Sequence, residues 1–116
     1  MRYMLLIYGD EAAFAGMAPD QRTETFKEYE KYSTWLEEKG WIRASDPLAD
    51  TGKATTVRMQ DGKVLATDGP FAETKEQLGG YYIVECANLD EAIEAAKALP
   101  AVAAGGSVEV RPIVDM

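Results

Sequence analysis

Two amphipathic helical patterns are separated by a run of β-prone segments, with a further β-prone segment at each end, and this order predicts an α+β domain. The ferredoxin-like arrangement, βαββαβ, is its commonest realisation, and here the middle is lengthened by an extra β-hairpin. A third observation concerns the two central-strand candidates, which are apolar or aromatic on both faces. Such strands belong in the middle of a sheet covered on two sides.

The first strand is predicted over Arg2 to Tyr8, with Tyr3, Leu5 and Ile7 on one face and Met4, Leu6 and Tyr8 on the other. Gly9 to Ala18 reads as a loop with a short turn around Phe14. Pro19 suits the first position of a helix and Asp20 its positive end, so a helix is predicted from there to Lys39. Phe26, Tyr29, Ser33 and Leu36 form its apolar stripe, flanked by Tyr32, and Gly40 ends it. Trp41 to Leu48 reads as a strand that Pro47 ends or bends. Asp61-Gly62 between Thr55–Met59 and Lys63–Thr67 is a hairpin signal.

Asp68 to Gly80 reads as a long polar connection, and Tyr81 to Cys86 as a strand. There Tyr81, Ile83 and Glu85 alternate against Tyr82, Val84 and Cys86. Asn88 is an N-cap with Glu91 three residues on. The helix that follows carries Leu89, Ala92, Ile93, Ala96 and Leu99 on one stripe, and Pro100 closes it. A small-residue loop over Ala101 to Gly106 leads to a last strand around Val108, Val110, Pro112 and Val114.

The 116 residues fit a single domain, and roughly two thirds of the unfolded surface is buried at this size, enough for one core. Twelve basic against twenty acidic residues leave a net charge of −8, which opposes direct binding to nucleic acid or anionic lipid. Histidine is absent, so a general acid or base near neutral pH has to be a perturbed carboxylate, Lys, Tyr or Cys. Imidazole-based zinc and iron sites are excluded, nothing has a zinc-ligand spacing, and no metal or other cofactor is expected. The lone Cys86 has no partner for an internal disulfide. The apolar run from Met1 to Tyr8 is too short to span a membrane and lacks a cleavage site, so the expected location is the cytoplasm.

The two-faced strands also imply a partner. Both helices of this fold lie on one side of the sheet, and a monomer would leave several large side chains of the other side in water. Covering about 800 Å² per chain at roughly 25 cal/mol per Å² supplies a large driving force, and one self-complementary interface between two sheets meets the need. A homodimer through the sheet face is the expectation.

The stretch Asp68-Gly69-Pro70-Phe71-Ala72-Glu73-Thr74-Lys75-Glu76-Gln77-Leu78-Gly79-Gly80-Tyr81-Tyr82 resembles the signature of the DGPF branch of the YCII-related family. The opening Met1 to Asp10 and the closing Val108-Glu109-Val110-Arg111-Pro112 extend the resemblance to essentially the whole chain. It implies a ferredoxin-like domain dimerised as an α/β barrel, with a pocket near the dimer interface beside the motif loop. The wider family includes a dehalogenating enzyme acting on a chlorinated hydroquinone. A His–Asp pair suggested as catalytic in several members cannot be carried over to a chain without histidine. The association of DGPF proteins with alternative sigma factors implies a regulatory context.

Asp68 admits two roles. It is either a turn residue beside Gly69 and Pro70, or a carboxylate at a cleft mouth acting as general acid or base. Glu73 and Lys75 lie in a loop long enough to be functional, where Lys75 can orient an acidic ligand. Phe71 is a packing anchor or a stacking platform. Tyr8, Tyr81 and Tyr82, on the central strands, are either core tyrosines or pocket residues, with Tyr8 at the strand end the one placed in a pocket. Arg111 is an edge charge or the counter-ion of Asp68 or of a ligand carboxylate. Cys86 reads as a buried small residue. These residues make Asp68 the catalytic candidate and Tyr8, Phe71, Glu73, Lys75, Tyr82 and Arg111 the ligand-binding candidates. Two functions compete: a non-catalytic dimer binding a small organic ligand, and a cofactor-free lyase or isomerase working through Asp68.

Overall fold

A computed structural model describes residues 1–116. Its strands are β1 (Arg2–Gly9), β2 (Ile42–Pro47), β3 (Thr55–Gln60), β4 (Lys63–Asp68), β5 (Gln77–Glu85) and β6 (Ser107–Pro112). Its α-helices are α1 (Glu11–Ala15), α2 (Pro19–Lys39), α3 (Leu89–Lys97) and α4 (Pro100–Ala103). Strands β2, β5, β1 and β6 form one antiparallel sheet in that order, and β3 and β4 pair only with each other. The result is an α+β chain compatible with the ferredoxin-like fold. No helix is long and apolar enough to cross a membrane.

Alternation along the central strands decides what is buried. Tyr3 and Leu5 of β1 and Tyr82 and Val84 of β5 point into a core completed by Tyr32 and Leu36 of α2 and by Ala92, Ala95 and Ala96 of α3, with Leu99 beyond it. The alanines let α3 lie close to the sheet, and burying each of Leu5, Leu36, Leu99 and Val84 contributes roughly 1.5–3 kcal/mol. Tyr32 packs edge-on against Tyr82 at 5.1 Å between ring centroids. Its hydroxyl donates to the Ala95 carbonyl at 2.6 Å, and the Tyr82 hydroxyl shares a 2.9 Å hydrogen bond with Ser33. The polar tips of the core are therefore satisfied.

Gly40 ends α2 with φ of 73°, a left-handed conformation that favours glycine, and Lys39 sits over the rings of both Trp35 and Trp41 beside this turn. Asn88 caps α3 by accepting from the Glu91 amide at 3.0 Å, as expected, and Glu91 in return accepts from the Ala87 amide.

Four expectations are corrected. The segment after β1 contains α1, whose start is fixed by Asp10 Oδ1 accepting from the amides of Ala12 and Ala13. The apolar centre of α2 is Tyr32 and Leu36, whereas Phe26 is 58% exposed and packs on Phe14 of α1. Strand β5 begins at Gln77, four residues earlier than its aromatic run, because Gln77, Leu78 and Gly80 pair with β1, with Gly79 as the extra residue of a bulge opposite Ile7 and Tyr8. A side chain at Gly80 would lie 3.1 Å from the Asp46 carbonyl oxygen, so the backbone of β2 occupies that space. Finally, Pro100 does not merely stop α3; it opens α4 in what reads by composition as a loop.

Candidate functional site

None of the core residues lies on the second face of the four-stranded sheet. That face carries Met4, Leu6 and Tyr8 from β1 and Tyr81 and Ile83 from β5, all partly exposed. Cross-strand register places Leu6 between Tyr81 and Glu109, and Met4 between Ile83 and Arg111. Asp46 of β2 stands opposite Tyr81 and accepts a 2.8 Å hydrogen bond from its hydroxyl, which holds the Tyr81 pKa above its ordinary value. On the opposite edge Arg111 is paired with Glu109, and this hydrogen bond raises the guanidinium pKa further. The face is an apolar strip bounded by one polar pair on each edge.

One end of this strip is held by loops. Both carboxylate oxygens of Glu11 accept from Thr51, at 2.7 Å from its amide and 2.8 Å from its hydroxyl. The Glu11 amide donates to Gln77 Oε1 at 3.0 Å, and Gln77 Nε2 donates to the Thr74 carbonyl at 2.7 Å. Ser107, opposite Tyr8 on β6, donates to Glu76 at 3.1 Å. These bonds fix the segment between β4 and β5 against the end of β1.

The sequence-derived candidates fall into three places. Tyr8 and Arg111 share the open face and lie near enough for Tyr8 to contribute to the Arg111 shift. Tyr82 is on the other face, buried beneath α2, where desolvation raises its hydroxyl pKa and the Ser33 hydrogen bond partly offsets the rise. Asp68, Phe71, Glu73 and Lys75 lie at the root of the β3–β4 hairpin and in the exposed loop that follows.

Asp68 is the last residue of β4, opposite Thr55. Gly69 follows at φ of 102°, its amide donating to the Ala54 carbonyl at 2.7 Å and its carbonyl accepting from Thr56 at 2.8 Å. This closes the root of the hairpin. Phe71 is 80% exposed.

Sequence reasoning weighed Tyr81 only as a central-strand tyrosine, without making it a site candidate, and passed over Asp46. The available signal was parity: Tyr81 pairs with Leu6, which shares its face with Tyr8. Cys86 is buried as expected, and desolvation with the neighbouring Glu91 charge raises its thiol pKa.

The model of the YCII-related domain matches residues 1–116. A protein of Rhizobium meliloti (strain 1021), described as uncharacterised, is 37% identical over 114 residues, covering 97% of this chain and 92% of the relative. A domain match over the whole described length, with a relative that aligns along nearly all of both chains, makes this chain a member of the YCII-related domain family.

Proposed function

We propose that this chain acts as a homodimer of the α/β-barrel type, joined through the open sheet face, and that it binds a small organic ligand at the rim of that interface. The observation that carries the reading is the strip of Met4, Leu6, Tyr8, Tyr81 and Ile83, which no core residue of the chain backs. Apolar strips on central strands are covered in a stable sheet, and a second copy supplies the same strip in return. The resemblance of Asp68 to Tyr82 to the DGPF signature supports the same assembly.

The ligand class follows from the polar groups around the strip. Tyr8, Tyr81 and Arg111 stand at its margin, and Lys75 lies in the adjoining loop. With Tyr81 and Arg111 already engaged by Asp46 and Glu109, the Tyr8 hydroxyl and the Lys75 ammonium beside this apolar floor suit a mainly apolar molecule bearing one carboxylate or phenol. Proton transfer by Asp68 in a cofactor-free lyase or isomerase is less well supported. A general base works best shielded with its substrate, whereas Asp68 is exposed.

Sedimentation velocity at micromolar concentration tests the assembly. A particle of twice 12.7 kDa is expected, and a single 12.7 kDa particle overturns the reading. Titration with a panel of small aromatic and aliphatic acids, followed by NMR, is expected to shift Tyr8, Tyr81 and Arg111. Shifts confined to the hairpin or to the outer face of α2 would move the site elsewhere.

A further inference from the structure

The β3–β4 hairpin stands apart from the rest of the molecule. The chain has a radius of gyration of 16.1 Å and extents of 49 × 44 × 19 Å. A compact domain of this length has a radius of gyration near ~13 Å. Every hairpin residue except Thr56 is exposed, and neither strand joins the larger sheet. Its register is amphipathic. Val57, Met59, Val64 and Ala66 share one face, while Thr56, Arg58, Gln60, Lys63 and Thr67 share the other with Leu65. Val57, Met59 and Val64 are 65%, 66% and 66% exposed. A lone two-stranded ribbon with a bare apolar face is marginal in water.

We infer that this hairpin is an arm that closes over a second copy of the chain, its Val57–Met59–Val64–Ala66 face packing on the partner. The inference rests on the dimer reading above and adds to it which element completes the interface. Area favours this occupant. Four strands spaced ~4.8 Å apart and six to nine residues long give the open sheet face a footprint of roughly 450 Å². A stable dimer buries about 800 Å² per chain. The arm's apolar face adds about 200 Å², and the surface that the partner's arm covers adds the same again, which closes the gap. The net charge of −8 disfavours an anionic membrane as the occupant. Asp68 and Phe71 sit at the arm's root, so the clasp ties the motif loop to the interface.

The test compares three full-length proteins by sedimentation equilibrium: the wild type, the double variant Val57→Asp with Met59→Asp, and Arg58→Glu on the polar face. Far-ultraviolet circular dichroism checks that each is folded. The expected result is a wild-type dimer, an apolar-face variant that is folded but dimerises at least ~100-fold more weakly, and an Arg58→Glu dimer close to wild type. Hydrogen exchange at Val57 to Met59 and Val64 to Ala66 is expected to slow as wild-type concentration rises. A wild-type dimer whose affinity the double variant leaves unchanged overturns the arm and spares the sheet-face dimer. A monomeric wild type overturns both. Protection of the arm that appears only with added anionic vesicles, and not with concentration, also overturns the inference.

Discussion

The Tyr32 hydroxyl donates a 2.6 Å hydrogen bond to the carbonyl of Ala95, joining the middle of α2 to the last turn of α3 inside the core. The two helices are 63 residues apart at this point, and the bond sets their spacing over the sheet. Tyr32→Phe keeps the ring but leaves a buried carbonyl unsatisfied, which costs about 1–3 kcal/mol. Urea denaturation is expected to show a lower midpoint with an unchanged slope, and an unchanged midpoint would mean that water takes the hydroxyl's place.

The same cluster predicts a weakness in alkali. Burial raises the pKa of Tyr29, Tyr32 and Tyr82 above the ordinary value of 10.0, with mutual proximity adding to the rise in Tyr29 and Tyr32. Above that value the unfolded chain loses these protons first, so it binds fewer protons than the folded one and stability falls as pH rises. Below the unfolded value the contribution is fully present. Urea midpoints are expected to hold steady up to about pH 10 and then decline steeply, with the near-ultraviolet tyrosinate signal rising in step with unfolding. A midpoint flat across this range would contradict the burial of the cluster.

At the end of β1, a Cβ on Gly106 would sit 2.5 Å from the Tyr8 carbonyl oxygen and 3.1 Å from that of Ala101. Both are backbone atoms, which cannot swing aside. Gly106→Ala is expected to destabilise by about 3 kcal/mol, at the upper end for overpacking, and to displace Tyr8 from the open face. Gly9→Ala is the control, since a Cβ there would meet nothing within 4 Å. Thermal melts of the two variants should differ clearly.

On the open face, the Asp46 carboxylate holds the Tyr81 proton. Asp46→Asn removes the charge and is expected to lower the Tyr81 titration towards its ordinary value, read from its ring carbon by NMR. No change would mean that the two side chains part in solution.

Much of this architecture is written in the period of the sequence. The alternation of Tyr3, Leu5 and Ile7 against Met4, Leu6 and Tyr8 sorts β1 into its two faces without reference to any other element, and the helices then decide which of these apolar faces is core. Asp61-Gly62 likewise marks the hairpin turn, with φ of 51° and 76°. Short or small-residue elements escape such reading. The five residues of α1 hold too few turns for a periodic signal, and only Asp10 announces them. Gly79 and Gly80 hide the start of β5, since Gly80 makes room for the backbone of β2 and Gly79 is the bulge residue opposite β1 rather than a side chain that fills space. For the site, neighbouring Tyr81 and Tyr82 are alike in composition. Only the placement of α2 over Tyr82 decides which of them is core, and that contact spans 49 residues of chain.

The rims of the larger sheet remain. Its edge strands are β2 and β6, and they finish in Pro47 and Pro112. A proline has no amide hydrogen to offer a neighbouring chain, and Arg43 on one rim with Arg111 on the other adds charge where an incoming strand would lie. Lateral growth from strand to strand is thereby discouraged at both rims, and the sheet is kept from extending edge to edge into a fibre.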